Sequence, residues 1–164
     1  MLFCAGRTFL RTFDWKDQRT FLERTIASGS DSPRMLINLG GLELSEGQLD
    51  AAKKHLTTAL EKEPDHPLAL INLAAVALKQ NDFPTAHALL KRAKEMPLVE
   101  AQAHEMAAVL ESKETGKVNL TRLRLASRTG APNWEIEKRY IKVMAESDDL
   151  PAALAELQNC LTTQ

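Results

Sequence analysis

Residues 33–66, "PRMLINLGGLELSEGQLDAAKKHLTTALEKEPDH", lie over residues 67–100, "PLALINLAAVALKQNDFPTAHALLKRAKEMPLVE", without a gap. The second segment begins directly where the first ends. Pro33 meets Pro67, Leu36 meets Leu70, Asn38 meets Asn72, Leu39 meets Leu73 and Gly40 meets Ala74. Further on, Leu49 meets Phe83, Ala52 meets Ala86, Leu56 meets Leu90 and Ala59 meets Ala93. A unit this short cannot bury a core of its own, so it must pack against copies of itself. That limits the chain to a stacked repeat.

The spacing within each unit predicts two helices. Apolar residues recur at three- and four-residue steps, the period of one helix face. The steps pause at "SEGQ" and at "QNDF". Gly47 is placed to end the first helix in the left-handed conformation. Asp82 is placed to cap the next, with Pro84 in its first turn, where a missing N–H costs nothing. Pro64 and Pro97 stop the second helices. Composition agrees, with aromatics at only 5% and abundant Ala and Leu, which favours helices over strands.

These residues resemble the tetratricopeptide repeat. That family has a period of about 34 residues, with a large residue, Leu-Gly, small Ala positions and a terminal Pro. Leu36, Leu39, Gly40, Ala52, Leu56, Ala59 and Pro64 stand at those places in the first copy. Leu70, Leu73, Ala74, Ala86, Leu90 and Ala93 stand there in the second, with Pro97 one residue early. Small residues at the crossing points let paired helices approach closely.

Weaker copies flank these two. "NDFPTAHALLKRA" at 81–93 matches "DDLPAALAELQNC" at 148–160, which predicts a further helix pair over 134–164. Residues 101–133 keep Met106, Ala107, Leu123 and Ala126 but carry Asn119 where a small apolar residue belongs, so looser packing is expected there. Upstream, "WKDQRTFLERTIASGSDSP" reads as a second helix whose partner is residues 2–13. The resemblance implies an all-α fold: a right-handed superhelical solenoid of antiparallel helix pairs, about ten helices in all. One domain, 1–164, would comprise a degenerate pair at 1–32, repeats at 33–66 and 67–100, a degenerate repeat at 101–133 and a repeat at 134–164.

The chemistry of an enzyme is not expected. "LGGLELSEG" is neither a dinucleotide fingerprint nor a phosphate loop, and its glycines fit helix packing and a helix end. His55, His66, His87 and His104 show no metal-ligand spacing and none lies near a Cys. The acids read as exposed helix faces and caps. Cys4 and Cys160 make no disulfide framework. No cofactor is expected. With 21 basic and 22 acidic residues, the net charge of −1 gives no footprint for nucleic acid. The longest apolar run, "PLALINLAAVAL" at 67–78, is too short to span a bilayer. Cys4 follows neither a charged start nor an apolar stretch of signal length.

The resemblance also implies where a partner would sit. In tetratricopeptide proteins the groove is read from the inner helix of each pair. Those positions are Arg34, Ile37, Asn38, Gly41 and Leu44 in the first repeat, and Leu68, Ile71, Asn72, Ala75 and Lys79 in the second. The third offers His104 and Glu105. Chaperone-binding members hold an acidic C-terminus with Lys, Asn and Arg. Here Ile37, Gly41 and Glu105 depart from that set, which argues against a two-carboxylate clamp. Asn38 and Asn72 could bond an extended backbone, since an amide both donates and accepts. Ile37, Leu44, Ile71 and Leu78 would form an apolar groove floor.

The expected function is therefore a non-enzymatic scaffold that binds a peptide or a partner helix. A second, weaker resemblance covers residues 7–40. It is to bacterial multi-spanning membrane proteins in which a glycosyltransferase-like region precedes a soluble tetratricopeptide tail, and it rests on Trp15, Asp17, Phe21, Thr25, Ser32, Pro33 and Arg34. It implies a regulatory or substrate-presenting tail outside the cytoplasm; the first resemblance is equally at home in the cytoplasm. The last residues, "LQNCLTTQ", lack a polar capping helix, so self-association through an exposed solenoid end is expected.

Overall fold

The computed structural model describes residues 17–116, together with Ala126, Lys138 and Lys142. Six helices and no strand occur among the described residues. They are α1 (Gln18–Ala27), α2 (Pro33–Ser45), α3 (Leu49–Lys62), α4 (Pro67–Lys79), α5 (Phe83–Ala93) and α6 (Glu100–Thr115). The expected count of about ten is corrected to six for these residues. The helix expected over 2–13 lies outside the described residues, as do those expected beyond 116 apart from Ala126, Lys138 and Lys142, each of which is helical. The chain is all-α, in two compact units, residues 1–81 and 82–164.

The helix boundaries follow from local chemistry. Ser32 caps α2 by accepting a hydrogen bond from the Met35 N–H, and Pro33 opens the helix. Asp82 does the same for α5 through the Thr85 N–H at 3.3 Å, with Pro84 in the first turn. α2 ends at Gly47, whose φ of 79° needs no Cβ. There the Gln48 N–H donates to the Glu43 carbonyl and the Gly47 N–H to the Leu44 carbonyl, satisfying two carbonyls the helix leaves open. One repeat later Asn81 does the turning with φ 57°. Asn is the side chain that tolerates this region best after Gly.

In the first unit α1 packs on α2, α2 on α3, α3 on α4, and α2 on α4. The α2–α3 pair is antiparallel: Glu43 meets His55, and Gly40 faces Leu56 further from the turn. The α3–α4 pair is antiparallel too, since Gln80 beyond the end of α4 donates to Asp50 at the start of α3. α2 and α4 therefore run parallel. Their core is the set the period selects: Leu36, Leu39, Ala52, Leu56, Ala59, Leu70, Leu73 and Ala74 are all buried. A Cβ on Gly40 would lie 2.7 Å from the Leu56 Cγ, so α2 and α3 approach too closely for any side chain there. α4 is buried almost all round, because both α2 and α3 pack on it.

α1 is fixed from outside. Leu22 is buried, and Arg19 pairs with Glu23 on its own helix and with Glu46 in the α2–α3 turn. Asp17 caps α1, its two oxygens accepting from the Thr20 N–H at 2.7 Å and the Thr20 hydroxyl at 2.8 Å. These bonds favour the carboxylate and hold its pKa below the ordinary value. A depressed pKa means the cap is intact above the unfolded carboxyl value of about 3.9 and lost as pH falls through the folded value. An NMR titration of Asp17 is expected to show a midpoint below that of an unstructured Asp, and Thr20→Ala, which removes the hydroxyl bond but keeps the stronger N–H bond, should raise it only part of the way.

In the second unit α5 packs on α6. Ala86, Leu89, Leu90, Ala93, Val99, Ala103, Ala107, Ala108 and Leu110 are buried, and His87 bonds Glu114 at 3.0 Å. Ala107 and Ala126, two of the small positions kept in the degenerate repeat, are both buried.

Candidate functional site

The inner stripes of α2 and α4 lie side by side in the first unit. On α2, Arg34, Asn38 and Gly41 fall at steps of four and three, one helix face. On α4, Leu68, Asn72, Ala75 and Lys79 do the same. A Cβ on Gly41 would stand 3.4 Å from the Asn72 Nδ2, so the two stripes meet there. Gly41 keeps space open beside the Asn72 amide.

The open positions are polar. Arg34, Asn38 and Lys79 are exposed, and Leu68 is 44% exposed. Gly41, Leu44, Asn72 and Ala75 are half-buried. The expected apolar floor differs from this: Ile37, Ile71 and Leu78 retain only 4%, 9% and 6% of their surface. They belong to the core, because a residue one position off the outermost stripe of a closely packed helix is covered by its neighbours. What remains reachable is a pair of amides flanked by two cations and one leucine. His104 and Glu105 lie half-buried on α6, in the second unit.

One residue departs from the sequence reading of the acids. Glu43 is 3% exposed, not a surface or capping acid. Its Oε2 accepts a hydrogen bond from the His55 Nδ1 at 2.8 Å across the α2–α3 contact. The signal is in the spacing: Glu43 stands seven positions after Leu36 and three after Gly40, on the core stripe. A buried carboxylate needs such a donor. The pair lies between α2 and α3, away from the inner stripes. Among the described residues no three His, Cys, Asp or Glu side chains form a metal site. No described helix is long and apolar enough to cross a membrane.

Comparison with known proteins agrees with the helical-repeat fold. A family model described as a tetratricopeptide repeat matches residues 43–110. The probable biofilm formation methyltransferase WspC of Pseudomonas putida (strain KT2440) is 36% identical over 75 residues, which is 46% of this chain. The chain spans only 18% of the length of that relative. The solved structure "MamA RS-1 ArsTM double mutant" superposes with a TM-score of 0.66 at 16% identity, covering 96% of this chain and 89% of that one. At that identity the likeness concerns the fold. Taken with the regular repeat period, the small residues at the helix crossings and the helix pair at 33–62, the family match identifies tetratricopeptide repeats within residues 43–110.

Proposed function

We propose that the chain is a non-enzymatic interaction module that seats a peptide or partner helix on the inner face of α2 and α4. One observation carries this reading. The amides of Asn38 and Asn72 stand on adjacent parallel helices, one exposed and one half-buried, with Gly41 leaving room beside the second. An amide donates and accepts at once, so two in series suit a peptide backbone. The repeat units at 33–66, 67–100, 101–133 and 134–164, with the degenerate pair at 1–32, would extend this face along a right-handed superhelical solenoid. His104 and Glu105 would carry the same role in the third repeat, and a solenoid end would be open to self-association.

The test is a peptide array probed with the wild-type chain and with an Asn38→Ala/Asn72→Ala variant. Binding is expected to weaken by about tenfold in the variant, two lost hydrogen bonds at about 0.5–1.5 kcal/mol each. Equal binding by both proteins would reject the amide pair as a backbone reader.

A second reading treats the chain as an appended part of a larger enzyme. It is supported by the resemblance of residues 7–40 to a glycosyltransferase-linked tail, and by a relative that is far longer than the matched segment and is named as a methyltransferase. In that reading the chemistry lies outside these residues, and the inner face presents a substrate or regulator to it.

A further inference from the structure

α1 is held more lightly than the other helices of its unit. It buries one residue, Leu22, where α2 buries five, α3 three and α4 eight. Phe21, Thr25 and Ile26 are half-buried. The helix packs on α2, and Arg19 ties it to the α2–α3 turn. That guanidinium donates to Glu46, to Gln48 at 3.2 Å and to Glu23 on α1 itself at 2.9 Å. Arg19 and its partners all reach solvent, so salt weakens the tie. The connection to α2 is equally light. Ser28, Gly29 and Ser30 are small and exposed, and Gly29 turns the chain at φ 91°. Their N–H groups donate back into α1, to the carbonyls of Arg24, Ile26 and Thr25. Past them, Asp31 is pinned to Lys62 of α3 at 3.0 Å and Ser32 caps α2. Three small residues thus separate α1 from a fixed anchor, the form of a hinge.

A freed α1 has little stability alone. It is 10 residues long, and helices shorter than about 12–15 residues are marginal in water. It needs a surface shaped like α2 and the α2–α3 turn, and a second copy of the chain offers the same one. We infer that α1 exchanges between copies: Leu22 and Arg19 of one chain dock on α2 and Glu46 of another, and a mutual swap joins the two. In dilute solution the short tether keeps α1 on its own chain, because it holds the helix there at a millimolar effective concentration. Swapped dimers form as the protein concentration approaches that value. Arg34 and Asn38 are exposed with α1 in place. The seat of α1 is therefore not the inner stripe, and the exchange stands apart from the inner-face reading.

Charge reversal in the full chain tests the exchange. In Arg19→Glu, and separately in Glu46→Arg, like charges face each other at the seat. The α1 amides of each variant are expected to exchange hydrogen about tenfold faster than in wild type, since each exposed pair supplies up to about fivefold, while α2–α4 keep their rates. Mixed in equal amounts, the two variants regain opposite charges at both seats, but only between chains. Analytical ultracentrifugation is expected to show the mixture dimerising at least about tenfold more tightly than either variant or wild type, with the gain shrinking as salt rises. Circular dichroism checks that each variant keeps its helices. A chain lacking residues 28–30 gives a second route. Its α1 cannot turn back onto its own α2, while Leu22, Arg19 and the seat are intact, so it should dimerise well below millimolar concentration. A mixture no more dimeric than its components would overturn the exchange, as would a hinge-deleted chain that stays monomeric. Equal dimerisation in wild type, both variants and the mixture would also overturn it, because the contact would then lie elsewhere.

Discussion

Gly40→Val is expected to destabilise the first unit by about 2–3 kcal/mol. The added Cβ alone would sit 2.7 Å from the Leu56 Cγ, and Leu56 is fully buried with nowhere to retreat. Valine's helix propensity, better than glycine's by a few tenths of a kcal/mol, does not offset that overlap. The cause can be isolated by a double-mutant cycle. Leu56→Ala alone should cost about 2–5 kcal/mol by leaving a cavity. In that background Gly40→Val should cost much less, because the clashing atom is gone. Urea unfolding followed by circular dichroism reads all four proteins. Additive losses would mean that the α2–α3 contact is not what the glycine serves. The next repeat has Ala74 at the corresponding place, buried and carrying its Cβ, so glycine is a demand of the α2–α3 crossing and not of the repeat in general.

His55→Ala is expected to cost about 2 kcal/mol, because it leaves the Glu43 carboxylate buried with its donor removed. Glu43→Leu should behave oppositely, neutral or stabilising, since an apolar side chain of similar volume avoids the desolvation of the charge. The corresponding residue one repeat on, Ala77, is apolar and buried, so the fold does not require a charge at this place. In the Glu43→Leu background, His55→Ala should then cost little. Equal losses for His55→Ala in both backgrounds would show that the histidine acts by packing and not through Glu43.

Much of this fold is legible in the sequence because the repeat prints its own packing. Leu36, Gly40, Leu56 and Ala59 recur one repeat later as Leu70, Ala74, Leu90 and Ala93, and all eight are buried. Gly47 and Asp82 mark helix ends through chemistry that acts within a few positions, so they too can be read directly. The inner face is harder. Period alone does not separate a residue on the open stripe from one a single position around the helix, which is a turn of about 100°. Asn38 and Lys79 stay in solvent while their neighbours Ile37 and Leu78 go into the core. That depends on how closely adjacent helices approach, which side-chain contacts fix and spacing does not. Glu43 escapes the sequence reading for a related reason: its type suggests surface, while its place on the Leu36–Gly40 stripe puts it inside.

The account stands most directly on which face meets another protein. A photo-crosslinking side chain at Leu68, on the inner face of α4, can be compared in the producing cell with one at Lys54, exposed on α3. The account predicts a discrete protein adduct from position 68, absent from position 54 and lost when Asn38→Ala/Asn72→Ala is added. An adduct from position 54 with none from 68, or the same adduct from both, would contradict it.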